Sequence, residues 1–463
     1  MTSKPGTTLS ERANRWLSHL RHEDVPDDVR RATRSRILDI LGLMLAGSCR
    51  PPGQAVHAAA LKLGSGNDSR ILWYGERTSA SLAALANGTM AHSLEFDDTH
   101  NQTIVHVSVT LVTAGLAIGE MLDIPGRELV TALAGAAELS SRVGMLAPGR
   151  LERVGFHPTA IAGAMGAAFL AARLFGLGAE QARDALGIAG SKAAGLMECW
   201  SDGSWAKFIH PGIAAEAGIV AATLAQQGFK GPATIFEGRF GLLASHVQDP
   251  SYEVDWDGFS RGLGEHWESR NISFKPYPCG HVIHPFLDAL LDLYREGLRA
   301  DEVDSIVCPI AAFMVPIVCE PAAEKLNPRS DWQGRVSLQF ALADALVHGR
   351  CNVHNFATPS LADPRVLALA RRVSYRIDET APGREQFKGW VIVRTRDGRT
   401  LERIVPNNWG SRENPMTAED VEDKFRTNAG LVFGPQRIEA AIEAVRRIDS
   451  EMRVRALVDS CIR

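Results

Sequence analysis

From Leu9 to Gln227, apolar residues recur at three-to-four spacing with few interruptions, and alanine and glycine are dense among them. A repeat near 3.6 residues places such positions on one face of a helix. Read with that period, the sequence predicts helices over 9–20, 27–46, 53–62, 81–93, 104–122, 129–146, 159–175, 179–187 and 212–227. Stretches such as Ile161-Ala-Gly-Ala-Met-Gly-Ala-Ala168 carry almost no side-chain bulk. Interaxial distance depends on the side chains at the contact, so small residues let helices approach closely. A compact, layered helical domain is expected.

The pattern changes near Asn271. Residues 303–311 and 372–377 read as strands. Residues 391–405 read as a hairpin turning at Asp397-Gly398, a dipeptide that type I′ turns favour. Helices over 285–296, 335–347 and 364–370 are interleaved. A polar loop spans 407–415. Thr417 with Asp420 then resembles a helix cap, with Asp where Glu or Gln is usual, and helices over 418–431 and 436–446 close the chain. Length alone allows roughly three domains of about 150 residues. The pattern instead suggests a mainly α chain: a large all-helical domain formed by both chain ends, 1–270 and 409–463, with a smaller α+β lid domain, 271–408, inserted.

Composition excludes several classes. The net charge is −4, from 50 basic and 54 acidic residues, and no basic stripe stands out, so nucleic acid is not an expected partner. The start, Met1 to Ser10, is polar with no apolar leader, which suggests a cytoplasmic protein. The best candidate span, Thr159 to Ala172, is shorter than the roughly 20 residues a membrane crossing needs. The seven cysteines, Cys49, Cys199, Cys279, Cys308, Cys319, Cys351 and Cys461, are scattered and never spaced C-x-x-C. That argues against a disulfide framework, a structural zinc or a local iron–sulfur motif.

Four segments could carry chemistry. The first is His92-Ser-Leu-Glu-Phe-Asp-Asp-Thr-His100, followed by His106. Glu95, Asp97 and Asp98 crowd together, and crowded carboxylates raise one another's pKa, which suits a general base. A histidine at a helix N-terminus is biased towards the neutral imidazole. The plainer alternative has Asp97 or Asp98 capping a helix and His100 in solvent. A metal is a third reading, but the spacing matches no closed tetrahedral pattern. The second segment is Phe156-His157-Pro158, ahead of a Gly/Ala-rich helix. The third is Lys207-Phe-Ile-His-Pro-Gly212, with Lys207 and His210 three apart. The fourth, Phe274-Lys-Pro-Tyr-Pro-Cys-Gly-His-Val-Ile-His-Pro285, carries Lys275, His281 and His284 at the proposed domain junction. A cap or core histidine, a solvated lysine and an interdomain linker are the structural readings of these three. Together the four supply lysines, imidazoles and carboxylates beside helix starts, where anions are attracted. A small anionic substrate would use all of them.

With these motifs in this order, the sequence resembles the MmgE/PrpD family, which includes 2-methylcitrate dehydratase, cis-aconitate decarboxylase and iminodisuccinate epimerase. The resemblance runs over nearly the whole chain, and Cys319-Glu-Pro321, Asn414-Pro415 and Lys424-Phe425 add to it. It implies a homodimer, a site in the cleft between the domains, and no metal or organic cofactor. By motif the site would fall on Glu95, Thr99, His106, His157, Lys207 and Lys275. There are departures: Glu95 stands for the usual Asp, Val107 for a proline, and Gly280 for a histidine of the decarboxylases, with His281 next door. Phe208 and Ile213 replace arginines common in bacterial relatives.

The resulting expectation is a cofactor-independent lyase, a dehydratase or decarboxylase, acting on a small di- or tricarboxylic acid such as 2-methylcitrate or cis-aconitate. Glu95, Asp98 or His106 would move the proton at carbon, and His157 would act as acid. Lys207 and Lys275 would hold carboxylates, with Thr99, His281 and His284 as further substrate contacts. An isomerase or epimerase of a dicarboxylate would need a second acid–base group, for which His281 or His284 is a candidate. A non-catalytic dimer that binds a small acid is the remaining alternative.

Overall fold

A computed structural model describes residues 7–356, 358–450 and 452–463. The chain divides into two compact units rather than three. One comprises Met1–Ser93, Thr103–Ile272 and Ala418–Arg463; the other comprises Leu94–Gln102 and Ser273–Thr417. The return to the helical unit comes at Ala418, later than residue 409, because the polar loop is tied to the second unit. There the Trp409 amide donates to Asp288 (2.8 Å) and the Phe274 amide donates to the Gly410 carbonyl (3.0 Å). The excursion of 94–102 into the second unit has no counterpart in the helical periodicity.

In the helical unit the observed helices include Leu9–His19, Asp27–Ser48, Ala80–His92, Val107–Leu122, Gly126–Met145, Pro158–Leu174 and Ala206–Gln226. The first opens on a capping box: Thr8 Oγ1 accepts from the Glu11 amide (3.2 Å), and Glu11 accepts from the Thr8 amide (3.0 Å). Ala206–Gln226 packs against Pro158–Leu174 and Ala80–His92. Glycines set these separations. A Cβ on Gly88 would lie 2.8 Å from the Gly212 Cα, and one on Gly218 would lie 2.5 Å from Ala167. Ala206–Gln226 is also long and apolar enough to cross a membrane by composition, but most of that stretch is buried among its neighbours, as a core helix is.

That helix begins earlier than its periodicity predicts and runs through Pro211. Proline removes an amide donor, so helices usually avoid it. Here the close packing of Gly212 on the Ala80–His92 helix fixes the segment instead. Lys207 and His210 therefore sit inside a helix, not in a loop before it. Near the chain's end, Lys424 Nζ lies 2.7 Å from Asp39 Oδ1, with both side chains buried. This ion pair links Ala418–Ala429 to Asp27–Ser48.

The second unit holds a four-stranded mixed sheet in the order Val373–Ile377, Val303–Ile310, Gly389–Thr395, Thr400–Val405. Val303–Ile310 is parallel to the first, with Ile306 opposite Val373, and antiparallel to the third, with Ile306 opposite Val393. Its antiparallel ladder ends at Val307, so Pro309 falls where no donor is owed to that neighbour. The sheet shares its core with His284–Arg295 and Leu338–His348, through Phe286, Leu290, Phe340 and Val391.

Two expectations change here. The hairpin does not close on a two-residue type I′ turn. The Thr395 amide donates to the Arg399 carbonyl (2.9 Å) and Gly398 alone in the turn has positive φ (89°), the longer loop that ends in a left-handed glycine. The helix expected over 335–347 starts at Leu338, where Ser337 Oγ accepts from the Phe340 amide (3.0 Å), and Arg335 instead ends the short Asp331–Arg335 helix.

Candidate active site

In the helical unit, three helix boundaries and the first turns of Ala206–Gln226 bring four histidines and a lysine together. His92 ends Ala80–His92, while His106 and His157 occupy the N-cap positions of Val107–Leu122 and Pro158–Leu174. Neither Asp97 nor Asp98 caps Val107–Leu122, since His106 stands at that cap. His100 is fully buried rather than solvated. The His106 amide donates to Thr159 Oγ1 (3.0 Å), which anchors one histidine loop to the next helix, and the His157 amide donates to the Gly195 carbonyl (2.9 Å).

The rings form a continuous cluster. Centroid separations are 4.8 Å for His92–His106, 5.9 Å for His92–His157, 6.1 Å for His106–His157 and 5.1 Å for His157–His210. His157 Nδ1 lies 3.0 Å from His210 Nδ1. Burial, then the charge of Lys207 and the neighbouring imidazoles, push the His157 pKa well below its ordinary value. Burial, with His92 and Lys207, lowers that of His210 to about 4. Both rings are therefore neutral near pH 7. One Nδ1 must carry the proton of the contact and the other must accept it. The two Nε2 atoms are then complementary, one protonated and one bare.

In the second unit, Glu95 has a left-handed backbone (φ 53°), a conformation non-glycine residues seldom adopt. Lys275 Nζ donates to the Glu95 carbonyl (3.2 Å) and lies 3.4 Å from its carboxylate, with both side chains buried. Arg335 Nη1 donates to the carbonyls of Leu94 (2.9 Å) and Pro278 (2.7 Å). The guanidinium thus joins the residue before Glu95 to the segment that carries Lys275. Asp98 and Thr99 are buried in this unit.

His281 and His284 have internal partners. Their Nε2 atoms lie 3.0 Å from Asn408 Nδ2 and 3.3 Å from the Cys279 carbonyl. Tyr277, stacked edge-on to His284, donates to Asp288 (2.7 Å), whose pKa burial raises to about 6. This network holds the Pro-rich segment against the 408–409 loop.

The family models for the MmgE/PrpD N-terminal domain and C-terminal domain match residues 11–255 and 277–450. The chain belongs to the MmgE/PrpD family. MmgE/PrpD relatives similar to it include a cis-aconitate decarboxylase of Aspergillus terreus, 27% identical over 454 residues, 94% of this chain and 92% of that protein. Cis-aconitate decarboxylases of Mus musculus and Homo sapiens are 26% and 27% identical, covering 93% and 91% of this chain and 88% of each relative.

For this MmgE/PrpD member, His106, His157 and Lys207 cluster in the helical unit, and Glu95, Asp98, Thr99, Lys275, His281 and His284 lie in the other. Motif reading left His92, His210 and Arg335 without roles. His92 and His210 were within reach, as they lie inside segments already singled out. Arg335 had no local signal, because its two carbonyl partners are distant in the chain.

Proposed function

We propose that the protein is a lyase that decarboxylates or dehydrates a small tricarboxylic acid, with cis-aconitate the first candidate, by general acid–base proton transfer. The observation that carries this reading is the His157–His210 contact beside the buried Lys207. Decarboxylation breaks a C–C bond and leaves its electron pair on the substrate as a carbanion spread over the neighbouring unsaturated system. A proton must then be delivered to carbon. His157 with its proton on Nε2 can deliver it while His210 hands its Nδ1 proton across the 3.0 Å contact, and His210 Nε2 must take up a proton from solvent in turn so that both rings end neutral.

In dehydration, a bare imidazole nitrogen takes the proton from carbon and a protonated one serves the leaving hydroxyl. The ammonium of Lys207 binds a substrate carboxylate and offsets the negative charge that develops. Glu95, Thr99 and Lys275 keep the roles the family motif proposes for them, and Asp98 remains a candidate base. His281 and His284 are assigned to positioning that segment. Because His157 and Lys207 are 2% and 3% exposed, substrate reaches them only when surrounding segments move. No metal or cofactor and a homodimeric state, measurable by light scattering, belong to the same proposal.

The experiment is a mass-spectrometric screen of purified protein with cis-aconitate, citrate, 2-methylcitrate and iminodisuccinate. Loss of carbon dioxide or water from a tricarboxylate, with at least a hundredfold drop in His157→Gln, is expected. Deuterium uptake from heavy water without either loss would instead identify an epimerase. Wild-type protein that turns over none of the four would defeat the reading.

A further inference from the structure

His92, His106 and His157 have a property beyond acid–base pairing: one ring nitrogen from each can be chosen so that all three lie within 4.8 Å of one another, and all three residues are buried. The rings are not parallel, with His92 at 77° to His106 and 32° to His157. Neutral imidazole is the ligating form. His210, at Nδ1 of His157, supplies the outer partner that orients a metal-binding imidazole and leaves Nε2 for an ion.

Zinc–nitrogen bonds of about 2.0–2.1 Å around a tetrahedron set ligand nitrogens roughly 3.4 Å apart. Small ring rotations of the three side chains would close the remaining gap. Three imidazoles select zinc, cobalt, nickel or copper over magnesium or calcium, and the fourth position stays open for water. The charge of Lys207 opposes a cation, so micromolar rather than tighter binding is expected.

We propose that His92, His106 and His157 form a binding site for a borderline divalent transition-metal ion such as zinc, and that filling it switches off the chemistry of the same imidazoles. The second half rests on the acid–base reading above: a lone pair bonded to a metal is not available to a proton.

The test uses full-length protein stripped with chelator, then titrated with Co²⁺ as a visible reporter and with Zn²⁺ by equilibrium dialysis, while cis-aconitate turnover is followed. One ion per chain at micromolar Kd, Co²⁺ bands of a four-coordinate site, and a tenfold or greater loss of turnover reversed by chelator are expected. Binding of Zn²⁺ should weaken at least tenfold in His92→Gln and in His106→Gln. No stoichiometric binding up to millimolar Zn²⁺, or binding indifferent to both variants, overturns the site. Full activity with the ion bound, or activity that requires it, overturns the inhibition. If stripped protein turns over no acid, the lyase reading fails separately, and the Co²⁺ spectrum still decides the metal site.

Discussion

Nδ1 of His157 lies 3.0 Å from Nδ1 of His210, a pairing across 53 residues that a neutral pair satisfies and a doubly protonated pair cannot. Both pKa values are depressed in the fold, that of His210 to about 4. An unfolded histidine titrates near 6.5. Between about pH 6.5 and 4 the unfolded chain therefore binds protons that the native His210 refuses. Its stabilising effect is complete above pH 6.5 and is lost as pH falls, by on the order of 1.4 kcal/mol per unit. Asp288, raised to about 6, gives the opposite slope over part of this range. The difference between wild type and His210→Asn isolates the histidine. Denaturant unfolding from pH 7 to 4.5 should show a shallower loss in the variant, and parallel curves would contradict the assignment.

Arg335 is expected to position the Glu95 and Lys275 segments through the carbonyls of Leu94 and Pro278. Hydrogen bonds to a charged group contribute roughly 1.5–3 kcal/mol each. Arg335→Lys should lose one of the two and lower stability by about that amount. It should also lower kcat and raise KM, since the acid–base Glu95 and the carboxylate-binding Lys275 both lose alignment. Unchanged unfolding and unchanged kcat together would remove Arg335 from this role.

Removing one partner of the buried Lys424–Asp39 pair leaves a charge stranded. Lys424→Met should cost about 3–5 kcal/mol. The double variant with Asp39→Leu should recover much of that loss, because no buried charge remains. Chemical denaturation of the two single variants and the double variant measures the coupling, and additive losses would show that the pair does not act as one.

Gly88 lets Ala80–His92 pass close to Ala206–Gln226, where an added Cβ meets the Gly212 backbone at 2.8 Å. Overpacking against backbone costs about 1–3 kcal/mol. Gly88→Ala should lower Tm despite the better helix propensity of alanine. Since the same helices carry His92, Lys207 and His210, turnover should fall as well, and a rise in Tm would refute the close contact.

Much of the secondary structure was legible along the chain. Ala80–His92 and Pro158–Leu174 lie within one residue of the predicted 81–93 and 159–175, because their periodicity is regular and their ends carry usable signals. The errors share a cause. Ala206–Gln226 overrides the proline in its first turns because its neighbours hold it. The turn at Asp397-Gly398 is longer than its dipeptide suggests because the strand register sets the loop. The 94–102 excursion depends on partners such as Lys275 and Arg335, far away in the sequence.

Residue types, spacing and hydrophobic period were enough to determine a mainly helical chain, its family, and most of the side chains proposed for chemistry. Such properties are local, or recur at intervals that survive without coordinates. The pairing of His157 with His210, the grouping of three imidazoles and the bridging role of Arg335 were decided only by the tertiary structure. Each rests on a distance between residues remote in the chain, and burial, which sets the charge state of those imidazoles, exists only once the helices have packed.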